Sequence, residues 1–307
     1  MKVPAEEPEP LINLSQVSEI ELLIVKMMGQ VTTGEHRSRS KGSGFDYVGL
    51  RDWQPGDRAS SIDWPQSTLR NFSPFVVREY AQPSTATVAA VADTSLSTRC
   101  GIDGVSIAAA VARAIATIGM SAVFFQDMFG LITFDAGFRR VQALRPHVGK
   151  GQVIHCLDAY QTGAGLQEVK HAGAISQTIA GFLRRTSLVP VISDFLFDGI
   201  DDVIHELVLL NSIHDVFLVV IDSGFAFHVP DVHAEWISVV DVESGQSRIA
   251  SRDTIADLAN RTASWQDEVE RKAREADLDV LRFGVDEARS TLSLVRFTAE
   301  RRLRKAS

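Results

Sequence analysis

The sequence TVAAVADTSLS, residues 87–97, begins with a run of mostly apolar residues and ends in an aspartate and two serines. The run Thr87–Ala92 has the composition of a strand that is buried on both faces, as parallel strands of α/β proteins are. Asp93 follows the run directly, and Ser95 and Ser97 come at alternate positions after it. The stretch therefore predicts a central strand with polar side chains at its carboxyl end.

Outward from this strand, apolar segments of strand length alternate with segments of helical periodicity. The expected strands are residues 130–134, 138–144, 188–193, 216–221 and 278–283, and the expected helices are residues 104–126, 151–160, 173–185, 199–212, 253–276 and 286–305. Turn signals predict a hairpin around residues 135–137 and a second hairpin around residues 244–245. Strands that alternate with helices indicate βαβ units. The expected fold class is therefore α/β, with a doubly wound, mostly parallel sheet.

The residues before this domain have a different composition. Residues 1–14 are rich in proline and glutamate and are expected to be a disordered lead-in. Residues 15–30 have the apolar spacing of a helix, and residues 31–44 are polar and basic, which predicts an exposed loop that is either a solvated linker or a partner contact. We interpret residues 15–83 as a helix and strand extension that packs on the α/β domain of residues 84–307.

Composition excludes several classes of protein. The chain has 31 Lys and Arg against 39 Asp and Glu, a formal net charge of −8, and nucleic-acid binding needs positive surface, so no nucleic-acid partner is expected. Cys100 and Cys156 cannot make a disulfide framework or a zinc ribbon, which indicates a reducing compartment. No run reaches ~18 uninterrupted apolar residues, and the start of the chain is unlike a signal peptide. We therefore expect a cytoplasmic protein without an integral membrane segment.

An irregular segment at residues 45–80 contains two tryptophans and three prolines. Trp53 and Trp64 are expected to be buried anchors, because large aromatic side chains mostly serve burial. The charged residues around the turn in this segment are expected to form backbone hydrogen bonds or ion pairs; they are Arg51, Asp57, Asp63 and Arg70.

Two of the expected strands end in carboxylates, since Asp194 follows strand 188–193 as Asp93 follows the first strand. In a doubly wound sheet the carboxyl ends of strands meet at one edge, where binding sites form. Oxygens from Asp93, Ser95, Ser97 and Asp194 suit a hard cation such as Mg²⁺. Asp and Ser after a strand also serve as plain helix caps and turn formers. The residues alone leave both interpretations open.

Two motifs carry a resemblance to known families. D-T-S-L-S after one strand, with S-D after another, resembles the metal-ion-dependent adhesion site of von Willebrand factor A domains. The upstream block is similar to the signature of a bacterial family, domain of unknown function 58, whose members join it to a von Willebrand A-like domain. The matching residues are Gly42, Gly44, Phe45, Arg51, Pro55, Gly56, Asp57, Ile62, Asp63 and Trp64, and the resemblance extends over about residues 34–300.

The resemblance implies a site and a role. A full adhesion site adds a loop threonine after a glycine pair, and Gln152 stands at that place in Gly149–Val153. In such sites Mg²⁺ keeps one position open for a carboxylate of a partner, which implies a non-enzymatic interaction module. Family members are commonly found beside MoxR-type AAA+ ATPases. The implied role is that of a chaperone-like adaptor, which couples such an ATPase to a protein client during assembly or maturation of a complex. Any membrane association is expected to be peripheral and to occur through a partner.

Two other functions stay open. A metal-dependent phosphate-ester hydrolase would use Asp93 as nucleophile or ligand, but the haloacid-dehalogenase pattern needs a second Asp where this chain has Ser95. A scaffold with a degenerate metal site is the other alternative, because Gln152 replaces the threonine hydroxyl. No catalytic residue is assigned.

Overall fold

The structure is a computed structural model of the 307-residue chain. It describes residues 10–34, 46–55, 57, 59, 62–81, 85–102, 105–135, 138–227, 236–240, 246–284 and 286–305. Of the lead-in expected over residues 1–14, residues 1–9 lie outside these ranges, and so does the part of the expected basic loop beyond Gly34. The chain divides into two compact units, a smaller one of Lys26–Thr85 and a larger one of Met1–Val25 with Ala86–Ser307.

The first elements along the chain are α1 (Leu14–Gly34), β1 (Asp46–Asp52), α2 (Trp64–Leu69) and β2 (Val76–Ala81). In the smaller unit, β1 and β2 form an antiparallel pair. Asp63 caps α2, because its Oδ1 accepts a hydrogen bond from the backbone N–H of Gln66 at 3.1 Å. Both Asp57 oxygens accept from the Arg51 guanidinium at 2.7 Å, and this contact lowers the pKa of Asp57 to about 2. Arg70 pairs with Asp52 instead.

The expected burial of the two tryptophans in the smaller unit is wrong. Trp53 is 38% exposed and Trp64 is 55% exposed. Trp64 is the first residue of α2, and its ring meets Phe75 edge-on with centroids 6.1 Å apart. A two-stranded sheet and one short helix provide too few layers to enclose side chains of this size.

The larger unit contains the remaining elements. They are β3 (Thr87–Asp93), β4 (Gly101–Ile102), β5 (Val105–Ser106), α3 (Ile107–Phe124), β6 (Met128–Phe134), β7 (Val141–Val148), α4 (Lys150–Thr162), β8 (Gln167–Glu168), α5 (Ile175–Phe182), β9 (Leu188–Ser193), α6 (Ile200–Asn211), β10 (Asp215–Ile221), β11 (Trp236–Val240), β12 (Ser247–Ser251), α7 (Arg252–Glu275), β13 (Asp279–Phe283) and α8 (Glu287–Lys305). The strands expected from the apolar runs and turn signals are all present. The short strands β4, β5 and β8 had no signal in the sequence.

Seven strands form one central sheet in the order β13-β10-β9-β3-β6-β7-β8. The first five are parallel to their neighbours, and β7 and β8 pair in antiparallel fashion at one edge. The expected α/β class with a mostly parallel sheet is confirmed. The predicted hairpin of β11 and β12 is also present as an antiparallel pair.

Helices flank the central sheet in two groups. Helix α3 contacts both α4 and α8, and helix α6 contacts both α5 and α7. Alternate residues of the strands, such as Val189 and Val191, share one apolar core with α5, α6 and α7, because successive strand side chains point to opposite faces. All seven residues of β3 are buried, which places this strand at the centre of the fold.

Helix α3 is the one helix among the described residues that is long and apolar enough to cross a membrane. In this structure 72% of its residues are buried. The core helix of an α/β domain has the same composition, so this helix alone is weak evidence for a membrane span.

Candidate metal centre

The two strand-end carboxylates lie at the same edge of the sheet. Asp93 is the last residue of β3, and Asp194 follows β9, its parallel neighbour. Ala92 pairs with Ile192 in the register of these strands, so Asp93 is level with Ser193 and Asp194 lies one residue further along the chain. Both side chains are fully buried.

Asp93 is held by hydrogen bonds to both carboxyl oxygens. Oδ1 accepts from the backbone N–H of Ser95 at 2.7 Å, and Oδ2 accepts from the Ser193 hydroxyl at 2.5 Å. Ser193 in turn accepts a hydrogen bond from the N–H of Phe195 at 2.8 Å. Burial raises the pKa of Asp93, and the hydrogen bonds from Ser193 and Ser95 oppose that rise. The carboxyl group is therefore fixed in one orientation.

Asp194 is held less completely. Its Oδ1 accepts from the N–H of Leu196 at 3.0 Å, whereas its buried Oδ2 has no hydrogen-bond partner in the described part of the chain. Burial, and after it the negative charge of Asp93, raises the pKa of Asp194 to about 6. A buried acceptor without a donor, beside a second carboxyl group, is a place where a cation removes an electrostatic cost.

The two predicted serines complete the cluster. The hydroxyls of Ser95 and Ser97 lie 3.0 Å apart, and the nearby Ser97 hydroxyl opposes the rise in the pKa of the Asp194 carboxyl. Ser97 is half-buried and Leu96 beside it is exposed, so the cluster is nearest to solvent on this loop. Asp93, Ser95, Ser97 and Asp194 thus come together, as the strand-end argument predicts.

Gln152 does not join this cluster. Met128 pairs with Val148 at the end of β7, and Met128 also pairs with Thr87 at the start of β3. Helix α4 begins two residues after β7 ends, so its first turn lies at the edge of the sheet opposite Asp93. The Gln152 amide donates there to the carbonyl of Arg145 at 2.9 Å. The antiparallel direction of β7 is the physical reason why this residue is misplaced as a ligand.

Two residues near the site carried no functional signal in the sequence. Tyr160 donates from its hydroxyl to the Asp93 carbonyl at 2.8 Å. Gln266 on α7 donates to the carbonyls of Asp194 at 3.0 Å and Ile221 at 2.8 Å. Ser193, the last residue of β9, belongs instead to the S-D motif of the sequence. Only the packing of helices on the sheet brings isolated polar residues such as Tyr160 and Gln266 to the site.

A family model described as a protein of unknown function, DUF58, matches residues 49–270. That range is well over half of the 307-residue chain. The chain belongs to the DUF58 family. The cluster of Asp93, Ser95, Ser97 and Asp194 lies within the matched range. The strands β3 and β9 that carry these residues at their ends also lie within it.

Two solved structures are similar to this DUF58 protein at low identity. One is an aerotolerance-related membrane protein from Bacteroides fragilis NCTC 9343 carrying multiple mutations to serines, with a TM-score of 0.40. The other is the conserved hypothetical protein BatB from Bacteroides thetaiotaomicron, with a TM-score of 0.37. Each is 14% identical and covers 70% of this chain and 99% of its own. No curated protein matches the chain.

In the DUF58 chain, among the described residues, no group of three or more His, Cys, Asp or Glu side chains could hold a metal ion. The cluster instead offers two carboxylates and two hydroxyls. These are hard oxygen ligands, and Mg²⁺ bound by one or two carboxylates keeps several waters. The unpartnered Oδ2 of Asp194 and the oxygen-only set fit Mg²⁺ and do not fit a softer metal.

The stability of the metal-free DUF58 protein is expected to fall between about pH 4 and pH 6 because of Asp194. Its pKa is about 6 in the folded protein against an ordinary value of 3.8, so in this range the folded state binds more protons than the unfolded state. The stabilisation that protonation of Asp194 contributes to the folded state is complete below pH 4 and is lost above pH 6. Its size is roughly 3 kcal/mol in the free energy of unfolding.

Urea unfolding in EDTA across this pH range measures the effect by comparing wild type with Asp194→Asn. The amide does not ionise, so the variant is expected to lose less stability than wild type as the pH rises. Asp222→Asn is a suitable control, because Asp222 follows the next strand and is only half-buried. Parallel pH profiles for wild type and Asp194→Asn would contradict the expectation.

Proposed function

We propose that this DUF58 protein is a non-enzymatic interaction module that binds Mg²⁺ at Asp93, Ser95, Ser97 and Asp194 and presents it to a carboxylate of a partner protein. One observation carries the proposal: two fully buried carboxyl groups lie on adjacent strand ends, and one of their oxygens, Oδ2 of Asp194, has no donor in the described chain. Keeping two like charges buried is costly, and a divalent cation between them offsets that cost.

Each residue has a separate part in this proposal. Asp93 and Asp194 supply the negative charge, and the hydroxyls of Ser95 and Ser97 supply neutral oxygens on the side nearest to solvent. The hydrogen bonds from Ser193 and from the N–H of Leu196 orient the carboxyl groups before any ion arrives. When bound, Mg²⁺ supplies a positive charge that is only partly neutralised and therefore attracts an acidic side chain.

The larger unit is, in this proposal, a von Willebrand A-like domain. Two features support the assignment. The order β13-β10-β9-β3-β6 with an antiparallel edge strand is a doubly wound arrangement, and the D-T-S-L-S loop follows the central strand β3. The oxygen cluster lies at the carboxyl ends of the strands, where doubly wound sheets bind ligands.

The proposed partner is a MoxR-type AAA+ ATPase, with this chain as an adaptor between the ATPase and a client complex. Family membership supports this step, because DUF58 proteins are commonly found beside such ATPases. We propose a cytoplasmic location, with membrane association through a partner only.

Binding of a purified, nucleotide-free MoxR-type ATPase from the same organism tests the proposal. In biolayer interferometry with millimolar Mg²⁺, the wild type is expected to bind at least about tenfold more tightly than Asp93→Ala, a difference of about 1.4 kcal/mol. Asp222→Asn should bind as the wild type does. Equal binding of wild type and Asp93→Ala, or undiminished binding in EDTA, would remove the ion from the interaction.

A further inference from the structure

The loop that carries the two serines of the cluster also carries an exposed leucine. Leu96 lies between Ser95 and Ser97 and begins the short 3₁₀ turn of Leu96–Arg99. The hydroxyls on either side of it lie 3.0 Å apart, whereas the Leu96 side chain is 43% exposed. A single exposed leucine is ordinary on a protein surface, so its meaning depends on what else surrounds the cluster.

A second exposed apolar side chain lies on the other face of the sheet. Trp265 belongs to α7, whereas the turn that begins at Leu96 contacts α3 in the opposite group of helices. The Trp265 indole is 37% exposed, and its Nε1 donates to the carbonyl of Phe195 at 2.8 Å. Phe195 directly follows Asp194. Because Nε1 carries the only polar hydrogen of an indole, the exposed part of this ring is apolar.

The loop after β9 joins these apolar side chains to the cluster. Leu196 is half-buried, and its backbone N–H donates to Oδ1 of Asp194 at 3.0 Å. Phe197 is also half-buried, with its ring centroid 6.2 Å from that of Phe195. We call this set of apolar side chains around the cluster the apolar rim; its members are Leu96, Leu196, Phe197 and Trp265. Apolar surface grouped around a polar site is typical of an interaction surface.

Fixed charges near the apolar rim have both signs. Arg99 is exposed at the end of the 3₁₀ turn, and Asp198 is exposed directly after Phe197. Asp135 is half-buried after β6, the other parallel neighbour of β3. Charges that are in contact with water are screened by salt, and here they also oppose one another. Burial of apolar surface, which is the main favourable term in most protein association, is therefore what this surface can add to the attraction of a bound ion.

We propose that the partner segment which binds this site carries an acidic residue with a large apolar residue two positions before it and another two positions after it. The inference rests on the proposed function, because Mg²⁺ is what places the acidic side chain. Alternate side chains of an extended segment point to the same side, about 7 Å apart. The carboxylate occupies the open position of the ion, one apolar side chain covers Leu96, and the other covers Trp265 with Leu196 and Phe197.

Calorimetric titration with three blocked pentapeptides in millimolar Mg²⁺ tests this pattern. The first peptide contains leucine, alanine, glutamate, alanine and leucine in that order; the second has alanine in place of both leucines, and the third has glutamine in place of glutamate. The first is expected to bind at millimolar concentration or below, and each of the others at least about tenfold more weakly. Equal binding of the first two peptides, or no binding of the first, overturns the inference.

The same titrations separate this inference from the proposed function. Undiminished binding of the leucine peptide in EDTA, or equal binding of the glutamate and glutamine peptides, removes the ion and overturns both. Equal binding of the leucine and alanine peptides, together with normal heats of Mg²⁺ binding and weaker binding of the glutamine peptide, overturns the inference alone and leaves the metal centre in place.

Two variants of the apolar rim locate the peptide. Leu96→Ala and Trp265→Ala are each expected to weaken binding of the leucine peptide at least about fivefold and to leave that of the alanine peptide almost unchanged, since only the leucine peptide contacts the rim. Leu209→Ala is the matched control, because Leu209 is 45% exposed near the end of α6 that leads to the start of β10, at the opposite edge of the sheet. Binding of the leucine peptide to both rim variants as tightly as to wild type overturns the inference.

Discussion

Mg²⁺ is expected to raise the midpoint of thermal unfolding of the wild-type protein and to leave that of Asp93→Ala almost unchanged. A ligand that binds only the folded state stabilises it by an amount set by its concentration relative to Kd, about 3 kcal/mol at a hundredfold excess over Kd. For a chain of this size that is a rise of roughly 5–10 °C. Without Asp93 the site loses half of its negative charge and a fixed ligand, so affinity should fall below detection in the same titration.

The effect of Mg²⁺ on thermal stability should also distinguish the role of Asp194 from that of Asp93. Asp194→Asn is expected to be more stable than wild type in EDTA at pH 7, because the amide carries no buried charge beside Asp93, and to gain nothing from Mg²⁺. Asp222→Asn should respond to Mg²⁺ as wild type does. Calorimetric titration of each variant with Mg²⁺ gives the matching heats. A rise of the midpoint in Asp93→Ala equal to that in wild type would place the ion elsewhere, and no rise or heat in wild type would favour a scaffold with a degenerate site.

Arg302→Ala is expected to destabilise the folded protein by about 3–5 kcal/mol, because it removes one partner of a buried ion pair. Arg302 on α8 donates from Nε to Oδ2 of Asp127 at 2.8 Å and from Nη2 to Oδ1 at 3.1 Å. Asp127 is 1% exposed and also accepts from the N–H of Ala86 at 2.8 Å. Without the Arg302 guanidinium, the Asp127 carboxylate stays buried near the first residues of β3 and β6 and lacks its cationic partner.

Urea unfolding at pH 7 measures this loss against Arg296→Ala as the control. Arg296 pairs with Glu300 on the same helix, but it is 78% exposed, and exposed pairs contribute at most about 1 kcal/mol. The double variant Arg302→Ala with Asp127→Asn should recover part of the loss, because the unpaired charge is then gone. A loss in Arg302→Ala no larger than in Arg296→Ala would show that the pair does not stabilise the fold.

The candidate site shows how far a one-dimensional pattern reaches. Parallel strands in one sheet place their carboxyl ends at one edge, so an aspartate directly after each of two apolar runs is sufficient to bring Asp93 and Asp194 together. Ser95 and Ser97 follow because they lie within four residues of Asp93. The prediction that Gln152 is a metal ligand is wrong because the position of Gln152 depends on the direction of β7. The glycine-pair motif around Gln152 does not specify whether the preceding strand is parallel or antiparallel.

The tryptophans show the opposite limit. Trp53 and Trp64 have the composition of core residues, but burial depends on how many layers surround them, and the unit of β1, α2 and β2 has few. In the same segment the charged residues behaved as predicted where the partner was close in sequence, as in Arg51 with Asp57. Arg70, at the C-terminal end of α2, instead pairs with Asp52 at the end of β1, eighteen residues away in the sequence.

The sequence by itself determined the α/β class, the alternation of strands and helices, the acidic charge and the four oxygen-bearing residues at two strand ends. These follow from periodicity and chain direction, which are local properties. The tertiary structure alone decided the order of strands, the orientation of the carboxyl groups by Ser193 and Leu196, the support from Tyr160 and Gln266, and the position of Trp265 beside the site. Apart from the local hydrogen bond between Leu196 and Asp194, those contacts join residues from tens of positions to a hundred positions apart, and their geometry is set by the packing of helices on the sheet.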